Sequence, residues 1–178
     1  MIKKIAVLRG INVGGKRKIL MADLRSLCET LGLINVKTYI QSGNLIFESN
    51  KSNTELENIL EKAITEKFGF DVPVIVRAYN ELKSSVNRNP FINQNVDINQ
   101  LHLIFLKENP SIENIEKTLT YNFEPDQFEI ENKEVFLRCP GKYHQSKLSN
   151  TFFEKELQVS ATTRNWKTVS KLLELIEA

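Results

Sequence analysis

The first twenty residues carry six basic side chains and no acidic one, and they end in a basic, glycine-containing run, Arg9-Gly10-Ile11-Asn12-Val13-Gly14-Gly15-Lys16-Arg17-Lys18. Backbone N–H groups left accessible by glycines, with lysine and arginine beside them, bind oxyanions such as phosphate or carboxylate. A second run of similar character is Arg138-Cys139-Pro140-Gly141-Lys142-Tyr143-His144-Gln145-Ser146-Lys147. A third, Thr162-Thr163-Arg164-Asn165-Trp166, joins hydroxyls to an arginine, and Thr162 or Thr163 reads as the N-cap of a helix, itself an anion-favouring feature. His144 is the residue best suited by type to act as a general acid or base.

Sharper and plainer readings stand beside these. Gly10-x-x-x-x-Gly15-Lys16 follows the P-loop pattern up to its last position, where Arg17 replaces the Ser or Thr that would ligate magnesium. The helix also starts late, after Ile19, so the pattern argues for phosphate cradling without magnesium or for a purely structural loop. Cys139 with His144 is an imaginable thiolate pair, but Cys139 ends an apolar strand before a proline and reads as half-buried and inert. Cys28 falls on a core helical phase, and His102 alternates within an apolar strand as a satisfied core histidine would. Trp166 reads as a core anchor. No His, Cys, Asp or Glu set has metal-ligand spacing, so no metal and no cofactor is expected.

Charge is unevenly spread. Residues 1–20 carry +6, residues 21–137 carry −7, and residues 138–171 carry +5, within a net charge of +2. Two basic ends around an acidic middle create local positive fields, although charge runs are commonly just solvated surface. The 41% hydrophobic and 26% charged content is that of an ordinary globular chain. No apolar run approaches the ~20 residues that span a bilayer, and the apolar start breaks at Arg9 with no cleavage site after it. A cytoplasmic protein with no membrane partner is therefore expected. Two cysteines make no disulfide framework.

The elements that must position these loops follow from periodicity. Ile2 to Leu8 reads as a buried strand, Leu20 to Leu31 as a helix ended by Gly32, Ile34 to Ile40 and Asn44 to Glu48 as a hairpin turning at Gln41-Ser42-Gly43. Ser52 and Glu55 have capping-box spacing for a helix that Gly69 stops, and Val72 to Ala78 is a fourth strand. This βαββαβ order is that of a ferredoxin-like unit. After a helix near Asn80 to Asn87 and an Asn-rich stretch, Asn89 to Gln100, the order repeats. Strands at Leu101 to Leu106, Gln127 to Ile130, Val135 to Cys139 and Val159 to Ala161 alternate with helices at Ile112 to Leu119 and Leu148 to Leu157. A last helix runs from about Arg164 to Ile176. The expected fold is thus α+β, two ferredoxin-like βαββαβ halves packed together with extra helices after each. The divisions are 1–78, a helix and linker at 79–100, and 101–178. An RNA-recognition motif shares this order but needs outward aromatics on its first and third strands, where only Phe47 is found. Both faces of several strands are apolar, so the sheet face away from the helices must be covered, by the second half or by a homodimer partner.

In such a sheet the end of the first strand and the turn between the second and third share an edge. That places Arg9 to Lys18 beside Ser42-Gly43-Asn44. The same geometry in the second half brings the loop after the third strand near Thr162 to Trp166.

Three of these segments, LRGINVGGKRKI (Leu8 to Ile19), TYIQSGNLIFES (Thr38 to Ser49) and TTRNWKTVSKL (Thr162 to Leu172), with Asn89-Pro90-Phe91, resemble the bacterial proteins grouped as domain of unknown function 1697. The resemblance spans essentially the whole chain, with the motifs in the same order. It implies a two-part α+β fold with a ferredoxin-like first half, and it implies no activity.

The reading is a binder of, or enzyme for, a phosphate-bearing or other anionic small ligand. Arg9, Asn12, Gly14, Gly15, Lys16 and Arg17 with Ser42, Gly43 and Asn44 form one candidate site. Lys142, His144, Arg164 and Asn165 supply a second cationic element. The alternatives are nucleic-acid binding through the same loops, or a homo-oligomeric interaction or regulatory module.

Overall fold

Apolar residues at both phases make Ile2–Leu8 (β1) an interior strand of the first sheet. The computed structural model describes residues 1–93 and 95–178. Gln94, in the expected linker, lies outside the described residues. After β1 come Met21–Thr30 (α1), Ile34–Tyr39 (β2), Asn44–Ser49 (β3), Asn53–Phe68 (α2), Val74–Ala78 (β4) and Tyr79–Asn87 (α3). The sheet has the order β2-β3-β1-β4 and is antiparallel throughout, the ferredoxin-like arrangement.

The second half repeats the pattern with Leu101–Leu106 (β5), Ile112–Leu119 (α4), Gln127–Glu131 (β6), Glu134–Arg138 (β7), Asn150–Leu157 (α5), Ala161–Asn165 (β8) and Trp166–Glu177 (α6). Its order, β6-β7-β5-β8, is the same permutation. The chain divides into two compact units, Met1–Ser84 with Leu172–Ala178, and Ser85–Lys171. Among the described residues no helix is long and apolar enough to cross a membrane.

Local chemistry explains the helix ends. Ser52 accepts from the Glu55 N–H while the Glu55 carboxylate accepts from the Ser52 N–H, closing the capping box of α2. In the first unit Leu24, Leu27 and Cys28 of α1 and Leu56, Leu60 and Ile64 of α2 pack on Ala6, Leu8, Leu45, Phe47, Val74 and Val76. Phe47 thus faces the helices, buried, and offers no ring to an RNA base. In the second unit Ile104, Leu106, Val135 and Leu137 meet Leu148, Phe153 and Leu157.

In both sheets a helix carboxylate accepts from a backbone N–H of one edge strand. On β4, Val74 and Val76 donate their N–H groups to Glu61 and Glu57 of α2, each at 2.9 Å. On β8, Ala161 donates to Glu154 of α5 at 2.9 Å and the Thr163 hydroxyl donates to Asn150 at 3.0 Å. Val74 pairs with Leu8 and Ala161 with Leu106, so the two sets occupy equivalent register positions. A helix side chain thereby satisfies edge amides that would otherwise template another strand.

The last strand corrects one expectation. It runs Ala161–Asn165, not Val159 to Ala161, and pairs with β5 from Leu106↔Ala161 to His102↔Asn165. Thr162 and Thr163 are therefore strand residues and cap nothing. The helix begins at Trp166, and Asn165 caps it, its Oδ1 accepting from the Thr168 N–H at 2.9 Å. Polar side chains concealed this strand, because pairing of the backbone with β5, not apolar alternation, holds it.

Candidate functional site

The basic run after β1 folds into a small hairpin. Asn12 N–H donates to the Arg17 carbonyl at 3.1 Å and Lys16 N–H to the Val13 carbonyl at 3.0 Å. Gly14 and Gly15 form the two-residue tip with φ of 57° and 74°. A turn with positive φ at both central positions is a primed hairpin turn, and Gly-Gly meets its need without strain. The glycines thus have a structural reason beside any ligand role. The tip stands in open space, with no atom within 4 Å of an added Cβ at either glycine.

Asn12 fixes this hairpin to the sheet. Its Oδ1 accepts from the Ile19 N–H at 2.9 Å, and its Nδ2 donates to the Ile19 carbonyl at 2.9 Å and the Gln41 carbonyl at 2.8 Å. The loop and the β2–β3 turn therefore meet, as their shared sheet edge requires. Leu8 N–H donates to the Gly43 carbonyl at 2.8 Å. Asn44 is fully buried, its Nδ2 donating to the Tyr39 carbonyl at 2.9 Å and to the Ser42 hydroxyl at 3.1 Å. Asn12, Ser42, Gly43 and Asn44 are thus spent largely on holding the edge together.

Lys16, Arg17 and Lys18 are exposed and make no ion pair with a described residue. The Arg17 guanidinium reaches back over Gly10, where an added Cβ would lie 3.7 Å from it. Arg9 is half-buried, its N–H donating to the Pro73 carbonyl at 3.0 Å. The arrangement is a fixed hairpin bearing uncompensated cations at an open tip. Charge of this kind at an open tip is suited to an anion.

The other candidates belong to the second unit. Lys142, His144 and Asn165 are exposed. Arg164 is buried, because it lies on β8 and not at a helix start; its Nη1 donates to the Thr162 hydroxyl at 3.0 Å and the Thr163 carbonyl at 2.9 Å. Burial lowers its pKa to about 10. The loop after β7 does reach this strand, through the Tyr143 hydroxyl at 3.3 Å from the Thr163 hydroxyl. Tyr143 also stacks on His102, ring centroids 4.3 Å apart. His102 is buried against that ring, on an apolar strand as expected. The ring pair escaped sequence reasoning; its only signal was an aromatic in the loop that follows β7.

Cys139 is fully buried, not half-buried, and burial pushes its thiol up to about 11. Cys28 is pushed up to about 12 for the same reason. Thiols held neutral in this way are not nucleophiles. Trp166 is buried in the core. Among the described residues no group of His, Cys, Asp and Glu could hold a metal ion. A cavity of about 300 Å³ in the first unit is lined by Lys3, Lys37, Ile46, Glu48 and Ile176 among others, at a face that carries none of the predicted site residues.

The family model described as "Protein of unknown function (DUF1697)" matches residues 1–136. Among solved structures, the conserved bacterial protein SP0830 from Streptococcus pneumoniae superimposes with a TM-score of 0.80 at 24% identity, over 98% of each chain. That likeness is one of fold. No curated protein matches the chain.

Proposed function

The chain belongs to the DUF1697 family of proteins of unknown function, and we propose that it binds a phosphate-bearing or other anionic small ligand at the Asn12–Arg17 hairpin. One observation carries this reading: Lys16 and Arg17 are exposed and unpaired on a hairpin that Asn12 anchors to the sheet. Cations held in place lose less freedom on binding than cations on a loose loop. Gly14 and Gly15 would add backbone donors, Arg9 a further cation, and Ser42, Gly43 and Asn44 the wall that positions the hairpin. Lys142, His144 and Asn165, exposed in the second unit, would form a separate cationic contact.

The test is a thermal-shift series with inorganic phosphate, nucleotides and sugar phosphates on the parent chain and on the Lys16→Ala, Arg17→Ala double variant. A ligand at 100 times its Kd stabilises the native state by about 2.7 kcal/mol, enough to see. The expected result is a shift in the parent that the double variant loses. No shift with any anion, or one that survives both substitutions, removes the reading. Binding that falls steeply with salt and ignores ligand chemistry would instead assign the hairpin to nucleic acid.

A further inference from the structure

Three exposed aliphatic residues stand next in sequence to Asn12 or to its hydrogen-bond partners. Val13 follows it in the chain, Leu20 follows its partner Ile19, and Ile40 precedes its partner Gln41. They are 65%, 69% and 46% exposed. Between Val13 and Leu20 run the unpaired cations Lys16, Arg17 and Lys18, and the first acidic residue of the chain is Asp23. Single exposed aliphatics are ordinary, but three at one sheet edge around unneutralised cations are not.

Building on the anion-binding reading above, we propose that the anion taken at this edge is a membrane-lipid headgroup, and that the edge docks the chain on an anionic bilayer surface. Lys16, Arg17 and Lys18 meet the phosphates, and Val13, Leu20 and Ile40 enter the acyl boundary. Cations beside aliphatic side chains are what interfacial binding uses, the first for the surface potential and the second for partial burial. The open tip at Gly14 and Gly15 lets the hairpin enter the headgroup layer without meeting its own chain. Single-stranded nucleic acid fits less well, because the exposed apolar side chains here are aliphatic and give bases no ring to stack on. A folded protein partner fits less well too, since a stable interface buries about 800 Å² per partner and three aliphatic side chains fall well short of it. The expectation of no membrane partner concerned spanning length, which surface docking does not require.

The test is cosedimentation of the whole chain with phosphatidylcholine vesicles, with and without phosphatidylglycerol, beside a thermal shift with inorganic phosphate. The variants are Val13→Asn, Leu20→Asn together and Lys16→Ala, Arg17→Ala together; all four positions are exposed, and each variant is used once its melting temperature matches the parent. The parent should pellet only with phosphatidylglycerol. The aliphatic variant should partition about tenfold more weakly while keeping its phosphate shift, and the cationic variant should lose both. A phosphate shift without vesicle binding overturns the lipid proposal and leaves the small-ligand reading standing. Vesicle binding unchanged in the aliphatic variant overturns it in favour of plain charge attraction. Binding of short single-stranded RNA without vesicle binding overturns it in favour of nucleic acid. Vesicle binding without a phosphate shift keeps the docking surface and removes the small-ligand reading, and neither signal removes both.

Discussion

Asn12 donates its side-chain amide to the Gln41 carbonyl at 2.8 Å, joining two turns separated by 29 residues of sequence. The same side chain grips both backbone groups of Ile19, and its own φ is 57°. Asparagine is among the few side chains that tolerate this backbone region. Asn12→Ala removes three hydrogen bonds and adds strain, so it should cost about 2–3 kcal/mol in urea unfolding. Asn12→Gly relieves the strain alone and should fall between the two. An alanine variant as stable as the parent would mean that the hairpin is not anchored as described.

Gly43 and Gly69 separate conformational strain from lack of space. Their φ values are 82° and 81°, nearly the same. A Cβ at Gly43 would lie 2.6 Å from Ile11 Cδ1 and 2.9 Å from Leu8 Cβ, whereas at Gly69 it meets nothing within 4 Å. Gly69→Ala should cost only the left-handed penalty of about 1–2 kcal/mol. Gly43→Ala should cost that and a further ~1–3 kcal/mol, because the Leu8 Cβ cannot swing away as a flexible side-chain end could. Equal losses in the two variants would show that the edge between loop and turn is loose.

The sheet-edge meeting of the basic loop with Ser42-Gly43-Asn44 followed from strand order alone, and the capping box at Ser52 and Glu55 from local spacing. Asn12 and Asn44 looked like ligand groups because an amide is equally suited to a ligand and to a carbonyl of its own chain; only the tertiary fold decides which it meets. Thr162, Thr163 and Asn165, standing in place of apolar residues, give Arg164 the look of a helix start although it lies on β8. Two of its acceptors, the Thr163 carbonyl and the Thr162 hydroxyl, lie one and two residues away on the same strand, and local contacts of this kind leave no trace in the apolar pattern.

Three buried groups, His102, Cys28 and Cys139, act on opposite limbs of the pH profile. Burial lowers the pKa of His102 below its ordinary value of 6.5. Below pH ~6.5 the unfolded chain therefore binds a proton that the folded one refuses, and stability falls as the pH falls through the folded pKa. His102→Phe keeps a ring against Tyr143 and should flatten this acid limb. On the alkaline side the thiols of Cys28 and Cys139 are raised from 9.0 to about 12 and about 11. The folded chain holds protons that the unfolded one loses, so stability is full below pH 9 and declines above it, by about 1.4 kcal/mol per pH unit for each thiol. Cys28→Ala with Cys139→Ala should remove that decline in urea unfolding followed from pH 8 to pH 10.5; an unchanged slope would place its origin elsewhere.

The repeated edge device makes a prediction about both halves at once. Glu57 is 4% exposed and accepts from the Val76 N–H, while Glu154, half-buried, does the same for Ala161. Removing the acceptor leaves a strand amide unsatisfied, at a cost of about 1–3 kcal/mol where water cannot reach it. Glu57→Ala should therefore cost more than Glu154→Ala, because water can replace the carboxylate at the more open site. Glu57→Gln keeps a carbonyl acceptor and should recover part of the loss. Amide hydrogen exchange reads the mechanism directly: Val76 should speed up in Glu57→Ala alone, and Ala161 in Glu154→Ala alone. Acceleration spread over a whole sheet would mean that the carboxylate supports packing of the helix and not the edge of the strand.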